Sequence, residues 1–374
     1  MAILLNTFVK TGRLQIWGAI LACSLALLFF FSFGSSVSQQ RLFPTEPNWM
    51  DRVIEQDFSP FRDGITEKMV ETTWKKVSSN PDFKRYQIIN SQVYGPNTPL
   101  LRLLKAMGEK YPLPDVDFIY YHQDFIKESF FSPSKNSPRA PVFASAKRNY
   151  DERTVLFVDW FYDIENQKEG WNSLIRNINL NQSEWPWEKR KEILFWRGSS
   201  TDGYYTWENW TNFPRGRLVY ESQFRHSPYI DAGFTGMAFD CITDCPLEML
   251  SFVPPEKQIQ YKYHIDLDGV TSTFPALQWK LLTGSLVFKQ TSDNVMWFHS
   301  ELIPFQHFIP VHNDLRDLNE KIAWAREHDL EAKQIAFNGR EFALTHLMPE
   351  QILLYCYKSL CKYASLQKFQ PKRR

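Results

Sequence analysis

The sequence predicts an α/β fold, because segments with the alternation of strands are followed by segments with the spacing of helices. The clearest example lies at residues 261–288. Polar and apolar residues alternate over residues 261–267, which favours a strand, and Asp268-Gly269 ends it. A helical segment then runs to Gly284, before the next buried strand. Such units bind nucleotides beyond the carboxyl ends of their strands, although a crossover without a ligand has the same spacing.

The positions of the other helices and strands follow from the same patterns. Further strands are predicted at residues 116–121, 155–158, 193–195 and 285–288. Further helices are predicted at residues 64–77, 315–327 and 330–347. The last of these is expected to be interrupted at Asn338-Gly339. In the unit described above, Ser272 or Thr273 is expected to cap the helix, with Pro275 in its first turn.

Composition and charge indicate a globular protein that does not bind nucleic acid. The chain has 374 residues and 43% hydrophobic content, which is enough to bury a core in about two domains. Its formal net charge is +1, so it has no overall basic field. The basic stretch at residues 370–374 is too short to change this conclusion. No nucleic-acid partner is therefore expected.

The N-terminal segment predicts a membrane anchor. Residues 14–34 carry no charge and are long enough to cross a bilayer as a helix. Lys10 and Arg13 precede them, which predicts a cytoplasmic N-terminus and an exported remainder. The expected location is the Golgi or ER lumen in a eukaryote and the inner membrane in a bacterium. A signal peptide cleaved near residues 36–38 is the alternative. The tail, anchor and stem are assigned to residues 1–13, 14–34 and 35–50.

Two loops in the second half of the chain suit a diphosphate. The first ends the stretch FWRGSST at residues 195–201, and the second ends the stretch YKYHIDLDGVTS at residues 261–272. Each joins an apolar run to glycine and hydroxyl residues with charged residues beside them. Diphosphate oxygens are bound by backbone N–H groups, hydroxyls and guanidinium groups, which is the set that these loops offer.

The same segments carry a family resemblance. FWRGSS, PRGRLVYES, YIDAGF, KYHIDLDGVTS, LLTGSLVFKQ and PFQHFIPV occur in the order typical of the CAP10-like glycosyltransferases of family 90. Weaker similarity in IEQDFSPFRDGIT and PVFASAK extends the resemblance to about residues 54–345. This family includes protein O-glucosyltransferases, capsule xylosyltransferases and lipopolysaccharide-modifying enzymes.

The resemblance implies a GT-B-like fold, in which two Rossmann-like domains face a cleft. It places an acceptor-side domain at residues 51–188, a nucleotide-sugar-binding domain at residues 189–345, and a C-terminal helix with a basic tail at residues 346–374. The implied reaction is an inverting transfer from a UDP-sugar to a glycan, polysaccharide or protein hydroxyl. The resemblance implies no metal and no other cofactor.

The resemblance also assigns site residues. Asp124 ends the segment PDVDFIYYHQD, which is similar to the family segment in which a strand ends in the catalytic Asp. By spacing alone Asp124 is an ordinary residue at the start of a loop, and Asp115 and Asp117 are rivals that precede the strand. The residues expected to bind the donor are Arg197, Gly198, Ser199, Ser200, Arg217, Asp231, Asp268, Gly269 and Ser272.

One departure from the family concerns the phosphates. Many members carry an Arg after the Asp-Gly loop, but residues 273–277 contain no basic residue. Lys280, Lys289 and Arg215 are the candidates to replace it, and helix N–H groups alone are the other possibility.

Two alternative functions follow from individual features. Asp266-Leu267-Asp268 resembles the Asp-x-Asp motif with which metal-dependent GT-A transferases hold a divalent cation. Against this, Asp266 lies within the predicted strand whereas Asp268 begins the turn. The missing Arg is the support for a second alternative, a sugar-binding relative without catalytic activity.

Overall fold

The computed structural model describes residues 48–124, 126, 139–158, 170–238, 247–272 and 275–373. The strands in these ranges are β1 (Phe83–Ile89), β2 (Gln92–Tyr94), β3 (Val116–Tyr121), β4 (Val142–Ala144), β5 (Lys147–Arg148), β6 (Thr154–Leu156), β7 (Lys191–Ser199), β8 (Ile230–Gly236), β9 (Tyr261–Asp266), β10 (Leu286–Gln290), β11 (Asn294–Val295) and β12 (Ile309–Val311). The α-helices are α1 (Trp49–Phe58), α2 (Glu67–Val77), α3 (Pro99–Gly108), α4 (Trp171–Asn181), α5 (Pro214–Gln223), α6 (Pro255–Gln258), α7 (Ala276–Leu282), α8 (Leu318–Glu327), α9 (Asp329–His346) and α10 (Pro349–Leu366).

Two five-stranded sheets organise these elements. The first has the order β2-β1-β3-β4-β6, with β1 antiparallel to both neighbours and β3, β4 and β6 parallel. The second has the order β12-β10-β9-β7-β8 and is parallel throughout. A short antiparallel pair, β5 with β11, joins the segment after β4 to the segment after β10. The α/β fold with parallel sheets is therefore confirmed.

Each sheet buries apolar side chains against helices. One face of the second sheet packs against α5, α8 and α9, while Val287 on its other face joins residues of α7. The first sheet packs against α1, α3 and α10 on one face and against Trp74 and Val77 of α2 on the other. Helix α10 is tied to the first sheet by Tyr363, whose hydroxyl donates to the carbonyl of Asp117 at 2.8 Å.

The strand–loop–helix–strand unit of residues 261–288 is confirmed. Strands β9 and β10 are parallel neighbours, with Tyr263 opposite Leu286, and α7 connects them. The helix ends at Leu282, and Gly284 follows with a φ of 66°, a conformation that favours glycine. The predicted strand at residues 116–121 is also confirmed, as β3.

Three predicted helix details are wrong. Helix α7 begins at Ala276 with Pro275 in the N-cap position, so Ser272 lies upstream of the cap, and Thr273 lies outside the described residues. Helix α8 begins at Leu318 because Leu315 has a φ of 58°, which a right-handed helix cannot contain.

The third wrong detail is the interruption near Asn338-Gly339. Helix α9 continues through both residues to His346. A Cβ at Gly339 would lie 2.6 Å from the carbonyl oxygen of His307. The glycine therefore permits close packing of an intact helix against neighbouring backbone instead of ending the helix.

The predicted anchor at residues 14–34 lies outside the described residues, as does most of the stem. Within the described ranges, no helix combines the length and the apolar character needed to cross a bilayer. Anchoring, topology and cellular location therefore stay predictions from the sequence. The predicted domain boundaries also stay predictions.

Candidate functional site

The two predicted loops meet at one edge of the second sheet. Strands β7 and β9 are parallel neighbours, so the segments that follow their carboxyl ends lie side by side. A Cβ on Gly269 would lie 2.4 Å from Oγ1 of Thr201, which shows how closely the loops approach. Any other residue at position 269 would have to displace the side chain of Thr201, which hydrogen-bonds Arg215.

Arg215 holds these two loops together. It lies in the first turn of α5 and is 5% exposed. On the first loop, its Nη1 donates to the carbonyl of Ser199 and to Oγ1 of Thr201, both at 2.7 Å. On the second loop, its Nε and Nη2 donate to the carbonyls of Asp268 and Leu267 at 2.9 and 3.0 Å. The guanidinium therefore fixes the spacing of both loops.

The Arg215 guanidinium also supplies positive charge to this edge of the sheet. Burial lowers the pKa of Arg215, whereas the nearby Asp202, Asp266 and Asp268 raise it. An arginine side chain remains charged at neutral pH, since its ordinary pKa is above 12. The guanidinium donates to three backbone carbonyls and one hydroxyl, while the nearby carboxylates balance part of its charge.

The loop after β9 is held by hydrogen bonds to Gln290 and Asn294. The backbone N–H of Asp268 donates to Oε1 of Gln290 at 2.8 Å. Nδ2 of Asn294 donates to Oδ2 of Asp268 at 2.7 Å, and Thr271 contacts Oδ1 of the same amide. Because Gln290 is the last residue of β10 and Asn294 the first of β11, this loop is anchored to the neighbouring strand and to the segment that follows it.

Ser272 offers a hydroxyl on the same loop. Its side chain is 3% exposed, and its Oγ has no hydrogen-bond partner within the described ranges. Buried hydroxyls are almost always hydrogen-bonded, so an unpaired one near a charged loop indicates a place for a ligand or water. Ser200, by contrast, is fully buried and accepts the backbone N–H of Ala238 at 2.8 Å.

Asp124 follows β3 and lies within the electrostatic influence of Arg215. Burial raises the pKa of the Asp124 carboxyl above its ordinary value, and the Arg215 charge lowers it in part. The preceding residues fix the chain: the N–H of His122 donates to the carbonyl of Asp82 at 2.9 Å, and Gln123 donates to the Asp82 carboxylate at 3.1 Å. The structure thus brings Asp124 into the same electrostatic neighbourhood as the two loops.

A hydrogen-bonded pair, the buried Tyr86 and the half-buried His122, holds the chain two residues before Asp124. Oη of Tyr86 lies 2.6 Å from Nε2 of His122 and 2.8 Å from the hydroxyl of Thr98. Burial lowers the pKa of His122 to about 4 and raises that of Tyr86 to about 12. Both groups are therefore neutral at pH 7, and they add no competing charge beside Asp124.

The two rival carboxylates have other roles. Asp117 is buried and binds Arg85 through both oxygens, at 2.6 and 2.7 Å. Asp115 accepts the backbone N–H of Asn90 at 2.7 Å. Both lie at the amino end of β3, whereas Asp124 follows its carboxyl end.

Three of the predicted donor residues make their contacts elsewhere. Arg197 binds Asp231 at 2.7 Å, so these two predicted residues pair with each other across β7 and β8. Arg217 donates to the carbonyls of Thr211 and Asp314 at 3.2 and 2.6 Å. None of these hydrogen bonds reaches the loop after β9.

Arg215 is the site residue that the sequence prediction undervalued. Of the candidates to replace the missing Arg, Lys280 pairs with Asp266 at 3.0 Å and Lys289 contacts the carbonyl of Gln290. Arg215 alone among these three contacts both loops. Pro214 could have pointed to Arg215 in the sequence. Proline is typical of a first helical turn, so the residue after it is expected at the amino end of a helix, where anions bind.

The two carboxylates of the Asp-x-Asp motif do not converge. Asp266 binds Lys280 in the buried interior, whereas Asp268 binds Asn294. Over the described ranges, no cluster of three His, Cys, Asp or Glu side chains is arranged to hold a metal. The geometric basis for the metal-dependent alternative is therefore weak, and metal-independent activity stays a prediction.

Residues 46–374 match the family description Glycosyl transferase family 90. The chain is 30% identical over 337 residues to Protein O-glucosyltransferase 2 of Danio rerio, which covers 86% of this chain and 63% of that protein. It therefore spans less than two thirds of that relative. It is 25% identical over 348 residues to Protein O-glucosyltransferase 1 of Bos taurus, with coverage of 86% and 81%.

Among solved structures, Anabaena HepE in complex with UDP-glucose is similar at 12% identity and a TM-score of 0.41. The match covers 85% of this chain and 97% of that chain. This TM-score is too low to assign a shared fold.

Proposed function

Because the chain belongs to glycosyl transferase family 90 and is a glycosyltransferase, we propose that it transfers a hexose or pentose from a UDP-sugar to a glycan, polysaccharide or protein hydroxyl, with inversion. The observation that carries this proposal is the half-buried Asp124 after the carboxyl end of β3, within electrostatic range of the Arg215 guanidinium that joins the two loops. A base and an anion-binding edge are the two parts that such a transfer requires.

Asp124 is the proposed general base. Its carboxylate takes the proton of the acceptor hydroxyl as that oxygen attacks the anomeric carbon. The bond from the anomeric carbon to the diphosphate oxygen breaks, and its electron pair leaves with UDP. Attack from the face opposite the leaving group converts an α-linked donor into a β-linked product.

The loops after β7 and β9 are proposed to hold the diphosphate. Charge on the leaving group grows in the transition state, so a fixed positive charge stabilises that state more than the ground state. Arg215 supplies this charge, and the Ser272 hydroxyl supplies a donor that has no partner in the described ranges. Arg215 thereby takes the part of the Arg that is missing at residues 273–277.

We propose the GT-B arrangement on the same grounds. The carboxyl ends of β3 and β9 carry Asp124 and Asp268, so each sheet contributes one side of the site. A crystal structure with UDP tests this arrangement, and UDP bound away from both carboxyl edges would contradict it.

A donor screen tests the proposed function. Purified protein is incubated with UDP-glucose, UDP-xylose, UDP-galactose, a GDP-sugar and a CMP-sugar, and nucleotide release is measured. We expect release from at least one UDP-sugar, with UDP-glucose tested first because the relatives are named O-glucosyltransferases. Consumption of only the GDP- or CMP-sugar would contradict the assigned donor site.

The pH profile of kcat/KM is expected to show an acid limb above the ordinary Asp pKa of about 3.9. The base must be deprotonated, and burial raises the pKa of Asp124, so activity is lost as pH falls through that raised value. Because the Arg215 charge lowers this pKa, Arg215→Met is expected to move the limb to higher pH. A limb at or below the ordinary value, or a shift to lower pH, would count against Asp124 as the base.

Removal of divalent metal is expected to leave activity in place. In excess EDTA, the wild type should release UDP at an unchanged rate, because Arg215 and the loop N–H groups neutralise the leaving diphosphate. Loss of activity that manganese restores would favour the Asp266 and Asp268 metal site instead.

A further inference from the structure

The amino end of α5 is capped by a residue from outside the helix. Phe213 occupies the N-cap position, and its side chain forms no capping hydrogen bond. The backbone N–H of Arg215, in the first turn, donates instead to Oδ2 of Asp202 at 2.9 Å. The side chain of the N-cap residue usually makes this kind of contact. Here a carboxylate from the loop after β7 makes it.

A second hydrogen bond fixes the Asp202 carboxylate. Oη of Tyr205 donates to Oδ1 of Asp202 at 2.6 Å. Tyr205 is buried, and its ring stacks on that of Phe213, with centroids 5.0 Å apart and an interplanar angle of 8°. Both carboxylate oxygens are therefore tied to the start of α5, one directly and one through a buried ring.

These contacts hold Arg215 at both ends of its side chain. Its guanidinium donates to the carbonyl of Ser199 and to Oγ1 of Thr201, the residue before Asp202. Its backbone N–H donates to the Asp202 carboxylate. One segment of four residues, 199–202, thus binds the backbone and the guanidinium of Arg215. The guanidinium cannot shift relative to the first loop without breaking one of these hydrogen bonds.

The charge of Asp202 acts against the binding of an anion. Asp202, Asp266 and Asp268 are the nearby carboxylates that favour the charged form of Arg215. A carboxylate close to an anion site repels a diphosphate. Any benefit of Asp202 to donor binding therefore comes from where it places Arg215. Position and charge have effects of opposite sign, so substitutions can separate them.

We propose that Asp202 is a positioning residue for the donor diphosphate, because its carboxylate fixes the backbone of Arg215 while the guanidinium of Arg215 joins the two loops. Asp202 does not contact the donor, and it acts through Arg215. Its role in donor binding rests on the proposed function, whereas the hydrogen bonds that hold Arg215 stand without it.

Two substitutions of Asp202 separate position from charge. Asp202→Ala removes the charge and both hydrogen bonds, and we expect UDP to bind about tenfold more weakly. Asp202→Asn removes the charge but keeps an oxygen for the Arg215 N–H and an amide that donates to the Tyr205 hydroxyl. We expect Asp202→Asn to bind UDP at least as tightly as the wild type. Affinity is measured by calorimetry at one fixed salt concentration.

The order of these affinities decides the proposal. Tighter or unchanged binding by Asp202→Ala would show that Asp202 acts through its charge alone, or not at all. Weaker binding by Asp202→Asn than by the wild type would show that the restored hydrogen bonds do not suffice. Either result would overturn the positioning role.

Asp151→Ala is the matched control. Asp151 also accepts one backbone N–H, from Arg153 at 2.8 Å, and one hydroxyl, from Thr154 at 2.7 Å. Its loss removes the same kinds of contact between β5 and β6, so UDP affinity should stay unchanged even if the melting temperature falls. A weakening equal to that of Asp202→Ala would indicate a general effect on folding and would remove the proposal.

A double-mutant cycle tests whether Asp202 acts through Arg215. The value of kcat/KM is measured for Asp202→Ala, for Arg215→Met and for the double variant. We expect Asp202→Ala to lower kcat/KM about tenfold in the wild type, but less than about twofold once residue 215 is Met, since coupled residues are not additive. Equal losses in the two backgrounds would overturn the proposal.

Tyr205→Phe replaces Asp202→Ala if the latter does not fold. It keeps the ring that stacks on Phe213 and removes the hydroxyl that holds Asp202. We expect UDP to bind about two- to fivefold more weakly, as for the loss of one hydrogen bond. Unaltered affinity in folded Tyr205→Phe would then overturn the proposal.

UDP affinity and turnover together separate this proposal from the proposed function. Calorimetry with UDP needs no turnover. A protein that shows the predicted order of UDP affinities but consumes no sugar nucleotide would keep the role of Asp202 and remove the proposed transfer. A wild type that consumes a UDP-sugar, with the same kcat/KM and UDP affinity in Asp202→Ala, would remove the role of Asp202 alone.

Discussion

Asp124→Asn is expected to lower turnover by about 10²–10⁴-fold, which is the range for loss of a general base. The amide is close in size to the carboxylate but cannot accept the proton of the attacking hydroxyl. Its affinity for UDP should change little, because the diphosphate is assigned to the loops after β7 and β9. Turnover is measured by UDP release with saturating donor, and UDP affinity by calorimetry.

Asp115→Asn is the matched control for this variant. Asp115 lies before the amino end of β3, and its carboxylate accepts the backbone N–H of Asn90 in the turn between β1 and β2. Near-normal turnover is therefore expected. Asp117→Asn is unsuitable, since it would break a buried ion pair with Arg85. Near-normal turnover in Asp124→Asn, or an equal loss in Asp115→Asn, would remove the assignment of the base.

Arg215→Met is expected to lower kcat/KM by roughly 10²–10³-fold, comparable to removing one donor that stabilises transition-state charge. The substitution removes the positive charge at the loops and four hydrogen bonds that fix their spacing. UDP affinity should therefore fall together with turnover, in contrast to Asp124→Asn. Arg215→Lys keeps the charge but loses the planar fork of donors, so an intermediate value is expected.

Arg217→Met controls for the loss of an arginine from the same helix. Arg217 donates to the carbonyls of Thr211 and Asp314, away from the loop after β9. Its loss should affect kcat/KM less than the loss of Arg215, once melting temperatures show that both variants are folded. An equal or larger effect of Arg217→Met would favour the sequence-based assignment of the diphosphate to Arg217 over the assignment to Arg215.

The sequence predicts the local structure around the site well. The strand at Val116–Tyr121 was predicted as β3, alternation predicts β9, and Gly284 marks the end of α7 as expected. These features depend on neighbours in the chain, so a pattern of a few residues contains the necessary information.

Features that depend on distant contacts were predicted poorly. Gly339 was expected to interrupt a helix, but it serves the approach of α9 to the backbone of His307. Arg197 and Arg217 match the family's donor motifs in sequence, and in the structure they contact Asp231 and backbone carbonyls, which the sequence did not predict; their donor-binding roles stay predictions. The direction of a long side chain is set by tertiary packing, which sequence spacing does not encode.

The central claim is a direct displacement in which Asp124 deprotonates the acceptor while the Arg215-linked loops hold the leaving diphosphate. The anomeric configuration of the product tests this claim most directly. With the active UDP-α-sugar from the donor screen and a hydroxyl acceptor, the linkage is determined by proton NMR before any mutarotation can occur. The account predicts a β-linked product, and an α-linked product would contradict it.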